Sequence, residues 1–245
     1  MEAITLVVPI YNEEGNIERI FSGVNKYRQQ SAFPVFTLFV DDGSTDESLA
    51  LIREICYQNQ EFGFLALDSN RGLSAAIKAG FDYSTTEWVG YMDGDLQTSP
   101  MDFLKFEPFL GKFDLVMGER TDRKDGWSKR LSSSFANWLR NVFLNDGVKD
   151  SGCPLKIVNK SFFDKISYFN GFHRFFPALT QIHGGKIKVI QVQHFERKAG
   201  KSKFNTFNRT LQPLLDLLLV YRLKQRSLRY SVKESQVLKN LEPHE

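Results

Sequence analysis

Two aspartates and a glutamine stand at alternate positions directly after an apolar, strand-like run. They are Asp93, Asp95 and Gln97, and the run before them is WVGYM (residues 88–92). In an extended chain alternate side chains point the same way, so these oxygen atoms converge. Such oxygen ligands suit Mg²⁺ or Mn²⁺, which can bridge the phosphates of a nucleotide and stabilise a departing diphosphate. An ordinary Asp-Gly turn is the alternative, whereas an EF-hand is excluded because the sixth position is Thr98 rather than glycine.

Further residues lie at or just after the ends of the other strand-like runs near the N-terminus. We expect this group to line a nucleotide: Pro9, Tyr11, Glu13, Asp41, Asp42 and Arg71. A carboxylate at Asp41 or Asp42 can accept hydrogen bonds from a nucleobase or a ribose, and the ring of Tyr11 can flank a base. The Arg71 guanidinium can bind a phosphate through two hydrogen bonds. The alternatives are a turn with a helix cap after Asp42 and a surface ion pair at Arg71.

Apolar runs alternate with helix-like segments in the first half of the chain. The strands are predicted at residues 4–10, 36–40, 64–67, 88–92 and 115–117. The segment from Ser44 to Glu47 has the capping-box pattern and predicts a helix that continues to about residue 59. This alternation predicts an α/β fold with a mostly parallel sheet covered on both faces. Such a sheet binds ligands at the carboxyl ends of its strands, where the acidic clusters fall.

The alternation weakens after residue 120. We expect helices over residues 131–143 and near 161–168, a loop around 150–154, and a strand over 186–192. In our interpretation this half supplies the acceptor side of the site.

Composition and charge limit the classes of function. A chain of 245 residues with 42% hydrophobic and 25% charged residues fits one α/β domain with at most a small appendage. The net charge of +3 does not indicate a nucleic-acid partner, although residues 203–245 hold eight basic and four acidic residues. We expect no signal peptide and a reducing compartment, since no basic and apolar leader follows Met1, and Cys56 and Cys153 are widely spaced. Rossmann dinucleotide, P-loop and α/β-hydrolase motifs are missing from the sequence.

An ordered series of short segments resembles the family 2 glycosyltransferases of the GT-A fold, and among them the polyprenyl- and dolichyl-phosphate glycosyltransferases. The segments are VVPIYNEE (7–14), VDDGSTD (40–46), NRG (70–72), YMDGDLQ (91–97), GER (118–120), residues 126–137, DSGC (150–153) and RKAGKSK (197–203). Each segment alone is common, but the ordered series is specific and spans about residues 4–204. The resemblance implies a Rossmann-like nucleotide-diphospho-sugar transferase fold, with a mostly parallel central sheet flanked by helices.

The resemblance also implies a metal-dependent, inverting transfer of a sugar from a UDP- or GDP-linked donor to a polyprenyl phosphate. Asp93, Asp95 and Gln97 would hold Mg²⁺ or Mn²⁺. The residues matching catalytic and phosphate-holding positions would be Asp95, Arg120, Arg130, Ser134, Arg197 and Lys203. A phosphate acceptor is already a nucleophilic dianion near neutral pH, so it needs cationic positioning more than a base. For Asp150, a base or acceptor contact and a structural role both stay open.

The C-terminal part is predicted to differ from the rest. We expect a GT-A glycosyltransferase domain over residues 1–208 and an amphipathic, basic helix with a tail over 209–245. One helical face carries leucines and basic residues follow it: Leu211, Leu214, Leu215, Leu218, Arg222, Lys224, Arg226 and Arg229. Such a stripe either rests on an anionic membrane surface or packs on its own domain or on a second copy in a homodimer. We expect no membrane-spanning segment, and a peripheral position at the cytoplasmic, inner face of the cell membrane.

Two other functions stay open at this point. A family 2 transferase that acts on a saccharide hydroxyl in cell-surface polysaccharide synthesis would need a carboxylate base, for which Asp150 is the candidate. A catalytically silent nucleotide-sugar-binding protein would bind nucleotide tightly without turnover of any lipid phosphate. Measurements of nucleotide binding and of turnover separate these functions from the first.

Overall fold

The computed structural model describes residues 2–121, 138–196 and 211–228. Within these ranges the strands are β1 (Ile4–Ile10), β2 (Val35–Asp41), β3 (Phe62–Ala66), β4 (Trp88–Tyr91), β5 (Leu115–Thr121), β6 (Lys156–Asn159) and β7 (Ile187–Gln193). The helices are α1 (Ile17–Gln30), α2 (Ser48–Gln58), α3 (Leu73–Tyr83), α4 (described over 138–144), α5 (Lys160–Phe163), α6 (Phe176–Ile182) and α7 (Leu211–Arg226). Short 3₁₀ turns lie at Glu14–Asn16, Pro100–Lys105, Glu107–Phe109 and Phe172–Arg174.

These strands form one sheet in the order β3-β2-β1-β4-β6-β5-β7. Neighbouring strands are parallel except at β6, which is antiparallel to both β4 and β5. The α/β class and the mostly parallel sheet are therefore confirmed. The carboxyl ends of β1, β2 and β4 lie at one edge, where Ile10 pairs with Asp41. Because β6 runs the other way, its first residue, Lys156, reaches this edge beside Tyr91.

Helices cover both faces of the sheet. On one face Leu6 of β1 belongs to the same buried apolar cluster as Ile20 of α1. On the other face Val7 shares a cluster with Ile77 of α3 and Phe176 of α6. All seven residues of β1 are buried, which explains why the strand is continuously apolar instead of alternating. The edge that carries the acidic residues is thus held from both sides by packed helices.

The capping-box prediction before α2 is wrong. Helix α2 begins at Ser48, and Ser44 Oγ instead accepts the N–H of Asn12 at 2.9 Å. The N-cap residue, Glu47, makes no side-chain capping bond, and Asp46 Oδ1 accepts the Ser48 N–H at 3.0 Å. A tertiary contact between the ends of β1 and β2 therefore outweighs the local capping preference of Ser44.

Two further elements of the second half differ from the sequence-based expectation. Strand β6 has four residues, too few to show a period, and it is defined by its pairing with β4 and β5. The helix expected near 161–168 is only the single turn α5, and the Tyr168 hydroxyl donates to the Phe163 carbonyl at its end (3.0 Å). The helix expected over 131–143 starts outside the described residues, and 138–144 are helical.

Candidate active site

The turn after β4 carries the aspartates that the sequence analysis assigned to a metal. The backbone of Gly94 passes so close to β1 that an added Cβ would lie 2.9 Å from Ile10 Cδ1 and 3.2 Å from the Pro9 carbonyl oxygen. This contact presses the turn against the end of β1. Within the turn Asp95 Oδ1 accepts the Gln97 N–H at 3.1 Å, and Leu96 between them has a φ of 53°. A non-glycine residue in this region is uncommon, and the packed surroundings hold it there.

The electrostatics of this turn fit a divalent cation. Burial raises the pKa of Asp93 to about 6, and the charge of Asp95 adds to this shift. A hydrogen bond from the Tyr91 hydroxyl and the charges of Lys156 and Arg120 oppose it. Two carboxylates that repel each other in a partly desolvated turn are stabilised by a cation between them. The donor set, hard oxygens only, suits Mg²⁺ or Mn²⁺.

The protein does not supply a complete cage for such an ion. Within residues 2–121, 138–196 and 211–228, no group of three or more His, Cys, Asp or Glu side chains is arranged to hold a metal. A cation at Asp93 and Asp95 would therefore need the amide of Gln97, donor phosphates or water as further ligands. Magnesium in nucleotide sites is held in this way, by one or two carboxylates plus substrate phosphates.

Asp41 and Asp42 at the end of β2 have different roles in the structure. Both oxygens of Asp42 are used internally, since they accept the N–H groups of Arg71 at 2.7 Å and Gly72 at 2.8 Å. Burial raises the pKa of Asp42, and these two hydrogen bonds oppose the shift. Asp41 is 1% exposed; its Oδ2 accepts the Ser44 N–H at 3.1 Å, and its buried Oδ1 has no hydrogen-bond partner in the described parts of the chain. Asp41 therefore keeps one buried oxygen that can still accept a hydrogen bond, whereas Asp42 positions the loop before α3.

Close backbone contacts join the loops around these aspartates. Gly43 has a φ of +70°, and a Cβ there would lie 2.6 Å from the backbone nitrogen of Asn70. Only glycine combines this conformation with such an approach. On the other side of the loop, the N–H of Thr45 donates to Asn12 Oδ1 at 2.7 Å. The ends of β1 and β2 and the loop before α3 are thus one connected unit.

The remaining residues of the predicted nucleotide edge are placed as follows. Pro9 is buried within β1 opposite Val40, and Tyr11 is half-buried in the turn that follows. Glu13 Oε2 accepts the Asn16 side-chain amide at 2.7 Å. Arg71 forms an exposed ion pair with Asp68 at 2.9 Å, which is the surface alternative considered from the sequence. The structure brings the backbone of Arg71 to Asp42, while its guanidinium lies at the surface.

Arg120, which the resemblance matched to a phosphate-holding position, pairs with Asp150, for which a base or acceptor contact and a structural role stayed open. Arg120 Nε donates to Asp150 Oδ2 at 2.7 Å, and Nη2 donates to Oδ1 at 2.9 Å. The backbone N–H of Arg120 also donates to Oδ2 at 3.2 Å. The side chains are 14% and 7% exposed, so this is a largely buried, two-pronged ion pair. It ties the end of β5 to the loop before β6.

Lys156 is a site residue that the sequence reasoning missed. It is 2% exposed, its Nζ donates to the Cys153 carbonyl, and the ammonium lies 5.8 Å from the centre of the Tyr91 ring. Burial lowers its pKa to about 8, while the charges of Asp93 and Asp150 oppose that shift. A lysine within the apolar run Leu155 to Val158 was the available signal, because lysine is almost never fully buried without a partner. Lys156 therefore places a positive charge near Asp93, in the turn over residues 93–97 that we call the acidic turn.

Four of the predicted phosphate-holding residues lie outside the described residues: Arg130, Ser134, Arg197 and Lys203. Their assignment stays a prediction. The described part of the candidate site therefore consists of the acidic turn after β4, the Asp41 edge, the Arg120–Asp150 pair and Lys156.

The fold places this chain in a class of proteins. Glucosyl-3-phosphoglycerate synthase from Mycobacterium tuberculosis, solved with UDP, aligns over 90% of this chain and 80% of that chain, with a TM-score of 0.68 and 16% identity. A mannosyltransferase from Pyrobaculum calidifontis, solved with GDP-Man and Mn²⁺, aligns over 80% and 58%, with a TM-score of 0.57 and 16% identity. At these identities the likeness shows the fold alone, which is the GT-A glycosyltransferase fold expected from the sequence.

The sequence then identifies the family. The profile of glycosyl transferase family 2 matches residues 5–172, which is more than half of the chain, so the chain belongs to this family. Dodecaprenyl-phosphate galacturonate synthase from Rhizobium johnstonii is 33% identical over 227 residues, which cover 89% of this chain. The same alignment covers 66% of that relative, just under two thirds of its length. The family predicted from the ordered segments is confirmed.

Proposed function

We propose that this protein transfers a sugar, with inversion, from a nucleotide-sugar to the phosphate of a polyprenyl phosphate, with Mg²⁺ or Mn²⁺ bound at Asp93, Asp95 and Gln97. The observation that carries the proposal is that one sheet edge holds both the acidic turn after β4 and Asp41, whose buried Oδ1 has no hydrogen-bond partner among the described residues. The 33% identity to a dodecaprenyl-phosphate galacturonate synthase supports the choice of acceptor. The GT-A neighbours solved with UDP, or with GDP-Man and Mn²⁺, support a nucleotide donor and a divalent cation.

The residues of this chain divide the work between donor and acceptor. Asp41 Oδ1 accepts a hydrogen bond from the nucleoside, while Asp42 keeps the loop before α3 in place through the N–H groups of Arg71 and Gly72. Asp93, Asp95 and Gln97 would hold the cation, which would supply Lewis-acid stabilisation to the departing diphosphate. Lys156, whose pKa burial lowers to about 8, places an ammonium group close enough to Asp93 for the two charges to attract.

The pairing of Asp150 bears on the choice of acceptor. A hydroxyl acceptor needs a carboxylate base to remove its proton, whereas a phosphate dianion does not. Both Asp150 oxygens already accept hydrogen bonds from the Arg120 guanidinium, so each is engaged within the protein. This geometry favours a phosphate over a saccharide hydroxyl as the attacking group.

Calorimetric titration with UDP and with GDP, each with and without Mn²⁺, tests the donor half of the proposal. We expect metal-dependent binding of one nucleotide, and a loss of at least about a hundredfold in that metal-dependent affinity for Asp95→Asn, because a direct anionic ligand is removed. Asp82→Asn, an exposed aspartate paired with Lys78 on α3, serves as the control and should bind as the wild type does. Wild-type affinity in Asp95→Asn would overturn the metal assignment.

The acceptor half is tested by following label from the nucleotide-sugar into a lipid extract. The donors are UDP- and GDP-sugars, including a uronic acid suggested by the name of the Rhizobium relative, and the acceptor is a polyprenyl phosphate in detergent. We expect a labelled lipid that is stable to phosphatase, since the phosphate is substituted in the product. Tight nucleotide binding with no labelled lipid from any donor would favour the silent binding protein instead.

A further inference from the structure

Helix α7 presents four of its leucines outward and its only acidic residue inward. Leu214, Leu215, Leu218 and Leu219 are 40%, 50%, 41% and 50% exposed, whereas Asp216 is 4% exposed. A surface helix ordinarily buries its apolar face and exposes its charges. In the described residues, no helix has both the length and the apolar character needed to cross a bilayer. The exposed face of α7, which we call the leucine face, is therefore a surface that the described parts of the chain leave uncovered.

Contacts on the opposite side fix this orientation of α7. Asp216 Oδ1 accepts a hydrogen bond from Gln212 Nε2 at 2.9 Å, and its Oδ2 lies 3.9 Å from Arg174 Nη1. Leu217 and Val220 are buried in the apolar cluster that also contains Val7, Ile77 and Phe176. Rotation of the helix to bury the leucine face would expose these two residues and separate Asp216 from its partners. The outward leucines are thus the consequence of a specific packing arrangement.

A second contact fixes the far end of the helix against α4. The ring of Tyr221 packs edge-on against Phe143 with centroids 5.5 Å apart, and Lys224 Nζ donates to the Leu144 carbonyl. Helix α4 also exposes apolar side chains, since Trp138 and Val142 are each 59% exposed. Two helices in contact with each other therefore both present apolar side chains to the outside.

The charge of the leucine face indicates what covers it. Arg222 and Arg226 are exposed and lie one and two turns beyond Leu218 and Leu219 on the same side. No acidic residue is exposed on α7, because Asp216 is its only one. If two copies paired through this face, they would bury leucines, but neither α7 would offer an exposed acidic residue to the arginines of the other. An anionic lipid surface supplies both an apolar layer and the negative charge.

We propose that the leucine face, together with Arg222 and Arg226, docks this protein onto an anionic phospholipid bilayer. The choice of a bilayer rather than a soluble partner rests on the proposed function, which puts the acceptor phosphate at a membrane surface. The leucines enter the boundary between headgroups and acyl chains, and the arginines contact lipid phosphates. Contact between α7 and α6, which lines the same core cluster as β4, places this surface on the body that carries the acidic turn.

Co-sedimentation of the full chain with vesicles tests the docking surface. The vesicles are phosphatidylcholine alone or an equal mixture with phosphatidylglycerol. We expect the wild type to bind the anionic vesicles, and to bind them more weakly at high salt. Arg222→Gln/Arg226→Gln should lower the partition coefficient about thirtyfold, because each basic residue near the surface contributes about fivefold. Lys26→Gln/Lys165→Gln removes the same charge from exposed positions elsewhere and should bind as the wild type does.

The apolar half is tested separately. We expect Leu215→Gln/Leu219→Gln to lower the partition coefficient at least about tenfold on the anionic vesicles, because partly exposed leucines lose their burial in lipid. Tyr57→Gln/Tyr83→Gln, at positions 83% and 70% exposed, is the control for loss of an exposed apolar side chain. Thermal melting of each variant confirms that the fold is retained. Unchanged vesicle binding in both α7 variants would overturn the proposal.

Two readouts keep this proposal separate from the proposed function. Vesicle binding without any sugar transfer would refute the transferase activity and leave the docking surface supported. Transfer to a detergent-solubilised acceptor without vesicle binding would refute the docking surface and leave the activity supported. A concentration-dependent dimer that the Leu215→Gln/Leu219→Gln variant abolishes would assign the face to a second copy and overturn the lipid proposal.

Discussion

The Arg120–Asp150 pair allows a sharp test of whether Asp150 is structural. Substitution of Asp150 by asparagine keeps the shape of the side chain but removes the charge that accepts three hydrogen bonds from Arg120. The remaining guanidinium would then be largely buried, with only 14% of its side chain exposed and its charge uncompensated at this contact. Breaking a buried pair by removing one partner typically destabilises a protein by about 3–5 kcal/mol. We expect about 3 kcal/mol here, because asparagine retains one acceptor oxygen.

Thermal melting of the metal-free protein measures this effect. For a chain of this size 1 kcal/mol corresponds to roughly 2–4 °C, so Asp150→Asn should melt roughly 6–12 °C below the wild type. Asp68→Asn is the matched control. It breaks the Arg71–Asp68 pair, which has the same two-pronged geometry but side chains that are 58% and 75% exposed. Exposed pairs are screened by water, so this variant should melt as the wild type does.

A double-mutant cycle with Arg120→Gln completes the test. If the pair is structural, Arg120→Gln/Asp150→Asn should be less destabilised than the sum of the single variants, because no unpaired charge stays buried. Equal melting shifts in Asp150→Asn and Asp68→Asn would refute the argument from burial. Normal melting of Asp150→Asn with complete loss of sugar transfer would instead make Asp150 a catalytic base and favour a hydroxyl acceptor.

Three further outcomes follow from the site geometry. Protons compete with the cation for Asp93, whose pKa is about 6. Mn²⁺ affinity should therefore be constant above that pH and fall about tenfold per pH unit below it. A flat calorimetric profile from about pH 4 to 7, which spans that pKa, would remove Asp93 from the metal site. Gly43→Ala should destabilise the protein by more than about 1 kcal/mol in denaturant titrations. The loss should exceed that of Gly111→Ala, because Gly111 also has a positive φ, of 78°, but no atom lies within 4 Å of an added Cβ there. Equal effects of the two substitutions would refute the close approach at Gly43. Asp42→Ala should lower stability by about 2 kcal/mol, because two backbone N–H groups lose their acceptor, and an unchanged unfolding midpoint would contradict its structural role.

Much of the first half of the fold could be predicted from residue periodicity. The continuous apolar runs of β1 and β2 and the Ala-rich α3 differ clearly in period and composition, so their type and order were predictable. The capping box at Ser44 was not, because a hydroxyl that can cap a helix can equally accept an N–H from a neighbouring loop, here that of Asn12. Strand β6 was missed for a related reason: four residues show no period, and only pairing with β4 and β5 makes them a strand.

The sequence by itself determined the chemical inventory of this protein: alternating strands and helices, two aspartates and a glutamine after the fourth strand, and an ordered set of family segments. It could not distinguish Asp41 from Asp42, pair Arg120 with Asp150, or place Lys156 beneath Asp93. Likewise, helical periodicity put Leu214, Leu215 and Leu218 of α7 on one face. Only the packing showed that this face is exposed and that Asp216 is buried. The physical reason is the same in each case. Residue type and spacing set what a side chain can bind, whereas burial and the choice between competing partners depend on segments far apart in the chain.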